Sequence, residues 1–315
     1  MKYDIYFHND FDGVASAAII LNFLRSRGDG FINYKAVHFP VSSNWADLKF
    51  KNPTIIVDFL YHPKAIFWFD HHPTAFLTPA WKKNFRQTKF HHWDANYKSC
   101  CHLVLDRLIK NFDFKPPKYF RELALWLDKT DGAVYSSIKE AMNIKLPAIQ
   151  MGLSFEGRYR KEKNIDYFKE IIEALSRQSF KKVAQLPSVQ ARFKEYEKRL
   201  QSSLNFFKKN LILYQKTAFI DESVKDVSRL RYAAYYFYPK IFYCVELLKH
   251  NNKEFSVGVG SNPWRRPTSR LHLGNFLRKY CGGGHQSVGR ANFKTKEDAL
   301  KAAKEVIKTL NKNEY

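Results

Sequence analysis

The stretch "FWFDHHPTAF", residues 67 to 76, places an aspartate and two histidines directly after a run of large apolar residues. The same residues could instead form a turn that Asp70 begins and Pro73, three residues later, fixes, with the two histidines in solvent. The apolar run favours a buried strand, and Asp70, His71 and His72 then stand at its carboxyl end. Since all three side chains can bind a metal, the stretch raises the hypothesis of a metal site on a rigid apolar support.

Alternating strand-like and helix-like segments surround this stretch. Residues 2 to 8 alternate in a β pattern, and residues 13 to 28 carry small and apolar residues at helical spacing before a closing glycine. The segments "FINYKAVHF", "PTIIVDF" and "AIFWFD" are further short apolar runs that end in polar residues. This alternation predicts an α/β fold with a mostly parallel sheet and flanking helices, in which ligands bind outside the carboxyl ends of the strands.

The pattern changes twice along the chain. From about residue 99 the apolar residues follow helical spacing, and residues 189 to 210 form a charged helical stretch; strand-like segments then return. We therefore expect a metal-binding domain over residues 1–188, a helical linker over residues 189–210 and a smaller C-terminal α/β domain over residues 211–315.

Composition narrows the class of protein. Of the 315 residues 45% are hydrophobic, which excludes a disordered chain, and the net charge of +23 should attract polyanions such as phosphate-bearing substrates. Four cysteines, two of them adjacent, give neither a disulfide framework nor a CxxC zinc site. The N-terminus lacks the apolar region of a signal peptide, and no apolar run approaches the roughly 20 residues of a membrane span. We expect a cytoplasmic protein with no membrane partner.

A second group of acidic and imidazole side chains lies at other strand ends. His8, Asp10 and Asp12 alternate along the first strand and its exit, so an extended chain directs them to one side, and Gly13 then permits a turn into a helix. This HxDxDG pattern alone is also common in turns. Asp58 follows the apolar run "TIIV", and a parallel sheet would place all of these side chains at one edge.

This mixture of ligands indicates which metals would bind. Carboxylates and imidazoles together suit Mn²⁺ ahead of Zn²⁺, Co²⁺ and Mg²⁺. Two such ions about 3.5 to 4 Å apart can activate a water and neutralise charge on a phosphoryl oxygen. We therefore expect two divalent ions, with Mn²⁺ preferred.

Two C-terminal stretches favour phosphate recognition. In "CGGGHQSVGRANF", residues 281 to 293, the glycine run taken alone is typical of a loop, but consecutive glycines can also let backbone N–H groups approach a phosphate. The loop "SNPWRRPTSR", residues 261 to 270, combines an aromatic ring that can stack on a base with guanidinium groups that pair with phosphates. The predicted substrate-binding residues are Gly282, Gly283, Gly284, His285, Arg265, Arg266 and Arg270. His91 and His92 are interpreted as a polar surface pair.

On these motifs the chain resembles the DHH phosphoesterase superfamily, which is named for the triplet formed here by Asp70, His71 and His72. The HxDxDG pattern is similar to the first motif of the family, Asp58 to the second, and a later aspartate to the fourth. The glycine run resembles the GGGH signature of the DHH-associated domain of RecJ-type exonucleases, oligoribonuclease/pAp phosphatases and cyclic-dinucleotide phosphodiesterases. The resemblance covers nearly the whole chain.

The resemblance implies two metal sites bridged by Asp58. The ligands it implies are His8, Asp10 and Asp58 for the first ion, and Asp12, Asp58, His71 and a fourth-motif aspartate for the second.

The fourth-motif ligand and the remaining roles also come from the resemblance. The segment "WLDKTDGA" offers both Asp128 and Asp131, of which Asp128 is preferred. Asp70 would orient a neighbouring histidine, and His72 would face the substrate phosphate as a hydrogen-bond donor or proton source.

The implied function is metal-dependent hydrolysis of short oligonucleotides or small nucleotides, RNA or DNA, by a water that two metal ions activate. The alternatives within the enzyme class are a cyclic-dinucleotide or pAp phosphoesterase, a phosphatase of polyphosphate or pyrophosphate, and a RecJ-like single-strand exonuclease. A non-catalytic nucleic-acid binder is the alternative outside it. The family also allows a homodimer.

Overall fold

The computed structural model of the chain describes most of its residues, namely 1–37, 45–156, 164–225, 227–228, 230–250, 254–267, 269, 271–284 and 286–312. The chain divides into two compact units. The first consists of Met1–Tyr135 and Asn143–Lys194, and the second of Ser136–Met142 and Glu195–Tyr315. Their boundary falls inside a long helix that includes the segment expected to be a linker. The expected limits of the two domains and the linker stay predictions.

A parallel sheet of five strands forms the centre of the first unit. Its strands are β1 (Lys2–His8), β2 (Gly30–Val37), β3 (Thr54–Val57), β4 (Phe67–Asp70) and β5 (His91–Trp93), in the spatial order β2-β1-β3-β4-β5. All four neighbouring pairs are parallel. Every residue of β3 and β4 is buried, because central parallel strands are covered on both faces. The predicted α/β fold with a mostly parallel sheet is confirmed.

Helices follow these strands and continue to the end of the unit. They are α1 (Phe11–Ser26), α2 (Pro79–Asn84), α3 (Cys100–Phe112), α4 (Tyr119–Asp131), α6 (Pro147–Ser154), α7 (Ile165–Leu175), α8 (Phe180–Val183) and α9 (Pro187–Asn210), and α9 continues into the second unit. Nearly every residue of α1 is buried, since α1 lies between the sheet and both α3 and α7. This burial explains why most of its residues are small or apolar.

Strand register aligns the carboxyl ends of the sheet. Phe7 pairs with Val57, and Val57 pairs with Phe69. The next residues along the three strands are therefore neighbours at one edge, as the sequence predicts. His92 in β5 is buried, so the prediction of a polar surface pair is wrong for this residue.

Aromatic side chains form a separate core of the first unit. Its buried members include Trp45, Phe59, Tyr61 and Trp68, and Trp81 and Phe85 are among the partly buried residues packed against it. This aromatic core fixes the segment between β4 and β5.

The second unit has a mixed sheet of six strands. They are β6 (Ile212–Tyr214), β7 (Thr217–Asp221), β8 (Tyr243–Lys249), β9 (Phe255–Ser261), β10 (Gly283–Gly284) and β11 (Val288–Phe293), in the order β10-β11-β9-β8-β7-β6. Its helices are α5 (Ile138–Ala141), α10 (Ala233–Phe237), α11 (Leu273–Phe276) and α12 (Lys296–Lys312). The apolar side of α12 packs against the sheet. Among the described residues, none of the helices has the length and apolar character needed to span a membrane.

Candidate metal centre

The sheet edge brings three strand ends together. His8 ends β1, Asp58 directly follows β3, and Asp70 ends β4. Asp58 has a backbone φ of +58°, in the left-handed region that aspartate tolerates better than most residues. Its backbone N–H donates to the carbonyl of Phe69 at 2.9 Å, which ties it to the neighbouring strand. The strained backbone therefore holds the carboxylate at a fixed place on the edge.

The turn after β1 positions the first pair of candidate ligands. Asp10 caps α1: its Oδ1 accepts a hydrogen bond from the backbone N–H of Gly13 at 3.1 Å, while its Oδ2 lies 2.7 Å from Nδ1 of His8. A Cβ at Gly13 would lie 2.2 Å from the carbonyl oxygen of His8, so only glycine fits. The HxDxDG pattern therefore forms a turn and a ligand cluster at once.

Asp12 lies in the first turn of α1 and is held by another helix. Its two carboxylate oxygens accept hydrogen bonds from the backbone N–H groups of Cys100 at 2.6 Å and Cys101 at 2.9 Å, at the N-terminus of α3. Burial raises the pKa of both thiols, so these cysteines are poor ligands and serve through their backbone. This support was not apparent from the adjacent cysteines in the sequence.

His71 is oriented by a backbone carbonyl. Its Nδ1 lies 3.2 Å from the carbonyl oxygen of Tyr97, a contact that places the proton on Nδ1 and leaves the Nε2 lone pair directed at the carboxylates. Nε2 lies 3.4 Å from Oδ2 of Asp131, 3.7 Å from Oδ2 of Asp12 and 3.6 Å from Oδ1 of Asp58. A histidine arranged in this way is a typical metal ligand.

Asp58 is shared between two groups of side chains. Its Oδ2 lies 3.6 Å from Nδ1 of His8, and its Oδ1 lies 3.6 Å from Nε2 of His71. Potential ligand atoms lie within 4.8 Å of one another in each of three sets. These sets are His8, Asp10 and Asp58; Asp12, His71 and Asp131; and Asp58, His71 and His72.

The chemistry of the cluster fits a pair of divalent cations. Oδ1 of Asp58 and Nε2 of His71 are buried and have no hydrogen-bond partner among the described residues. Burial raises the pKa of the Asp58 carboxyl well above its usual range, and the charges of Asp12 and Asp10 raise it further. Burial also raises the pKa of Asp12, with the charges of Asp131 and Asp10 adding to it. Bound cations would offset both the burial and the repulsion.

Asp70 orients the second histidine of the triplet. Its Oδ1 accepts the backbone N–H groups of His71 at 2.8 Å and His72 at 3.2 Å, and lies 2.8 Å from Nδ1 of His72. Burial lowers the pKa of His72, but the charge and hydrogen bond of Asp70 outweigh it and raise this pKa to about 9. Nδ1 of His72 also lies 3.6 Å from Oδ1 of Asp58. The imidazole of His72 thus adjoins the carboxylate cluster.

The structure differs from the sequence-based choice of the fourth-motif aspartate. Asp128 lies one turn before Asp131 on α4 and is engaged elsewhere: it accepts the hydroxyl of Ser99 at 2.7 Å, and its other oxygen lies 2.6 Å from Nδ1 of His102. Asp131 lies beside His71 instead. The geometry therefore replaces Asp128 by Asp131 as the candidate ligand.

Part of the predicted substrate-binding set lies outside the described residues, namely His285 and Arg270. Arg265 and Arg266 are exposed, and the guanidinium of Arg265 lies 4.9 Å from the ring centroid of Phe242. Both can reach a ligand in solvent. Neither belongs to the metal-ligating groups.

Two of the three consecutive glycines are required by packing within the second unit. A Cβ at Gly284, whose φ is +141°, would lie 2.3 Å from the carbonyl oxygen of Val288. A Cβ at Gly282 would lie 2.4 Å from the carbonyl oxygen of Arg290. A Cβ at Gly283 would have no atom of the described residues within 4 Å. Only Gly283 therefore leaves open space for the approach of a ligand.

Similar solved structures include PggH, a pGpG-specific phosphodiesterase from Vibrio cholerae, with 21% identity, 99% of each chain covered and a TM-score of 0.73. An exopolyphosphatase-related protein from Bacteroides fragilis has 14% identity, with 98% of this chain and 93% of that chain covered and a TM-score of 0.49. RecJ from Thermus thermophilus in complex with Mn²⁺ has 13% identity, with 98% of this chain and 51% of that chain covered and a TM-score of 0.49. No family model and no curated protein matches the chain. At this identity, the similarity to PggH shows a common fold over the whole chain and does not by itself assign an activity.

Proposed function

The chain has the fold of the DHH phosphoesterases, and on that premise we propose that it is a metal-dependent phosphodiesterase that hydrolyses short oligonucleotides or small nucleotides. The observation that carries this proposal is the position of Asp58, whose two carboxylate oxygens lie 3.6 Å from His8 and 3.6 Å from His71. A carboxylate shared between two groups of ligands is the arrangement that a two-metal hydrolase needs.

The proposed ligands follow from the two groups. His8, Asp10 and Asp58 would hold one divalent ion, and Asp12, Asp58, His71 and Asp131 would hold the other. Bound Mn²⁺, the preferred ion for this ligand set, would lower the pKa of a water and neutralise charge on the phosphoryl group. The buried backbone contacts of Asp12 and Asp58 keep their carboxylates in place for this purpose.

His72 would act on the substrate directly. Asp70 keeps Nδ1 of His72 protonated and fixes the ring. The protonated ring can then donate a hydrogen bond to a phosphate oxygen, or a proton to the leaving oxygen. Asp70 acts through His72 and is a positioning residue.

Several features support a nucleotide substrate. The net charge of +23 favours a polyanion, and PggH is named for its action on pGpG, which makes a linear dinucleotide our first candidate. Gly283, Arg265 and Arg266 are the described candidates for substrate contacts in the second unit. A cytoplasmic location and a homodimer stay predictions.

A RecJ-like exonuclease acting on longer single strands is the second candidate, and the strong positive charge favours it. Cyclic dinucleotides, pAp and polyphosphate stay alternatives as substrates. A non-catalytic binder is disfavoured, because His8, Asp12, Asp58 and Asp131 are retained together with the DHH triplet.

A substrate panel tests the proposal. We would measure product release with Mn²⁺ from pGpG, pAp, cyclic di-AMP, polyphosphate, and 5- and 24-residue RNA and DNA. The control is the double variant Asp70→Ala/His71→Ala. Release of mononucleotides that the double variant abolishes is the expected result, and the fastest substrate selects the branch. The absence of turnover with every substrate would contradict the proposal.

A further inference from the structure

The segment that follows the DHH triplet carries basic residues and no acidic ones. Residues 71 to 93 contain no aspartate or glutamate. Four exposed cations lie on α2 and in the loop after it, namely Lys82, Lys83, Arg86 and Lys89. We refer to these four residues as the α2 cation group.

This segment is fixed to the body of the first unit. The hydroxyl of Thr78 caps α2 by accepting the backbone N–H of Trp81 at 3.1 Å. The Trp81 ring lies 5.5 Å from that of His62, and the Phe85 ring lies 5.2 Å from that of Trp68. Because the aromatic anchors hold the segment, its cations project from a defined surface and lose less conformational entropy when they bind a ligand.

The four cations have no carboxylate partner among the described residues. Arg86 donates only to the carbonyl oxygens of Lys83 and Phe85, at 2.9 and 2.8 Å. Elsewhere in the first unit, cations such as Lys181 and Arg25 form ion pairs with carboxylates at 2.6 Å. The α2 cation group therefore repels itself, and a polyanion would relieve the repulsion.

One member of the group lies close to the metal centre. Trp93 pairs with Asp70 at the sheet edge, and its indole N–H donates to the carbonyl oxygen of His72 at 2.9 Å. The ammonium of Lys82 lies 5.4 Å from the centroid of the Trp93 ring. A single indole thus separates Lys82 from the backbone of His72.

We propose that the α2 cation group binds the phosphates of a single-stranded nucleic acid whose scissile phosphodiester lies at the metal centre. This inference rests on the proposed function and extends its substrate class to strands longer than a dinucleotide. Phosphate contacts of this kind are independent of base sequence and weaken as salt releases the cations. The affinity gained with strand length should therefore depend on these four residues and on salt.

A matched pair of variants tests the inference. The first is Lys82→Ala/Lys83→Ala/Arg86→Ala/Lys89→Ala. The control is Lys110→Ala/Lys115→Ala/Lys118→Ala/Arg121→Ala, which removes the same charge from the C-terminal end of α3, the loop after it and the start of α4. That end is about 20 Å from the α3 N-terminus that holds Asp12. Fluorescence anisotropy with EDTA would give the Kd of labelled 4- and 24-residue single strands at 50 to 200 mM salt. A retained Mn²⁺ thermal shift would show that the centre is intact.

The first variant should bind the 24-residue strand at least about tenfold more weakly than the control. The slope of its log affinity against log salt concentration should decrease in magnitude by up to about 3, at about 0.7 per lost phosphate contact. Equal affinities of the two variants for the 24-residue strand would overturn the inference, even if dinucleotides are hydrolysed. Loss of binding to anionic phospholipid vesicles, with unchanged affinity for the strand, would overturn it in favour of a lipid surface. If the wild type hydrolyses no substrate, but the first variant still binds the 24-residue strand more weakly than the control does, the proposed function is wrong and the proposed binding surface is supported.

Discussion

The Oδ1 atom of Asp58 lies 3.6 Å from Nε2 of His71, and neither atom has a hydrogen-bond partner among the described residues. The strained backbone of Asp58 and the Tyr97 carbonyl that orients His71 hold both acceptors at this separation. Two buried acceptors that face each other are unfavourable unless a proton or a metal cation lies between them. This relationship is the basis of the following predictions.

Asp58→Asn should have opposite effects on the metal-free and metal-loaded proteins. At a pH high enough to ionise Asp58, replacing this buried carboxylate among like charges by a neutral amide should raise the Tm in EDTA, since asparagine also tolerates the left-handed backbone. The same change should remove the Mn²⁺ thermal shift and lower kcat by more than about 100-fold. Differential scanning fluorimetry with and without Mn²⁺ measures the first two effects. An unchanged Mn²⁺ shift would contradict the assignment of Asp58 as the shared ligand.

Mn²⁺ affinity should rise with pH. The pKa values of Asp12 and Asp58 are raised in the folded metal-free protein, so these carboxyls retain protons that a metal must displace. The charged forms also destabilise the metal-free fold, and its stability should fall as pH rises from the ordinary carboxylate pKa toward the raised values. Titration calorimetry in buffers of different ionisation enthalpy counts the protons released. Binding without proton release, at the same affinity from pH 6 to pH 8, would exclude this coupling.

Asp131→Asn and Asp128→Asn should separate metal binding from stability. Asp131 is partly exposed, so its substitution should leave the unfolding free energy within about 0.5 kcal/mol and weaken Mn²⁺ binding by about 10- to 100-fold. Asp128→Asn weakens the contacts with Ser99 and His102 and should cost about 1 to 2 kcal/mol of stability, with a smaller effect on Mn²⁺. Urea unfolding and Mn²⁺ titration of both variants give the comparison. The reverse pattern would restore Asp128 as the ligand.

The glycine run offers a second matched pair. Gly284→Ala should destabilise the second unit by about 2 kcal/mol or more, because φ is +141° and the added Cβ would lie 2.3 Å from the Val288 carbonyl. Gly283→Ala meets no such obstacle and should change stability by less than about 1 kcal/mol. If the backbone of Gly283 contacts a substrate phosphate, its variant should raise KM while the protein stays folded. An unchanged KM would remove Gly283 from the substrate site.

His92 should make the folded protein sensitive to acid. Burial, with the charge of Arg107 next, lowers its pKa to about 4, and Asn111 donates to its Nε2 at 2.7 Å. The unfolded chain takes up a proton near pH 6.5 and the folded chain does not, so the stabilisation is complete above pH 6.5 and is lost as pH falls toward 4. The loss relative to His92→Asn should reach about 2 to 3 kcal/mol, at about 1.4 kcal/mol per pKa unit. Urea unfolding of both proteins in EDTA at several pH values measures this loss. If the unfolding free energies of the two proteins changed in parallel with pH, the prediction would be wrong.

Much of the fold and of the candidate site could be predicted from the sequence, because apolar runs that end in polar residues indicate both the strands and their carboxyl edge. His8, Asp58 and Asp70 were predicted to meet there on that ground, and the strand register places them side by side. Because the buried strands are short and bounded by polar residues, the parallel sheet could be predicted from the sequence.

The rest depended on tertiary contacts that spacing does not encode. Asp128 and Asp131 lie three residues apart on one helix, so both face similar directions, and the contacts of Ser99 and His102 with Asp128 favour Asp131 as the candidate ligand. The support of Asp12 by the N-terminus of α3 joins residues 88 positions apart. Similarly, close backbone packing requires Gly282 and Gly284, whereas the sequence indicated a loop or phosphate recognition at these positions.

Hydrolysis of pGpG by the wild type and by Asp58→Asn, each with Mn²⁺ and with EDTA, tests the central claim most directly. We expect the wild type to release GMP with Mn²⁺ and none with EDTA, and the rate of Asp58→Asn with Mn²⁺ to be lower by more than about 100-fold. Hydrolysis that persists in EDTA, or in Asp58→Asn at the wild-type rate, would contradict a metal centre built around Asp58.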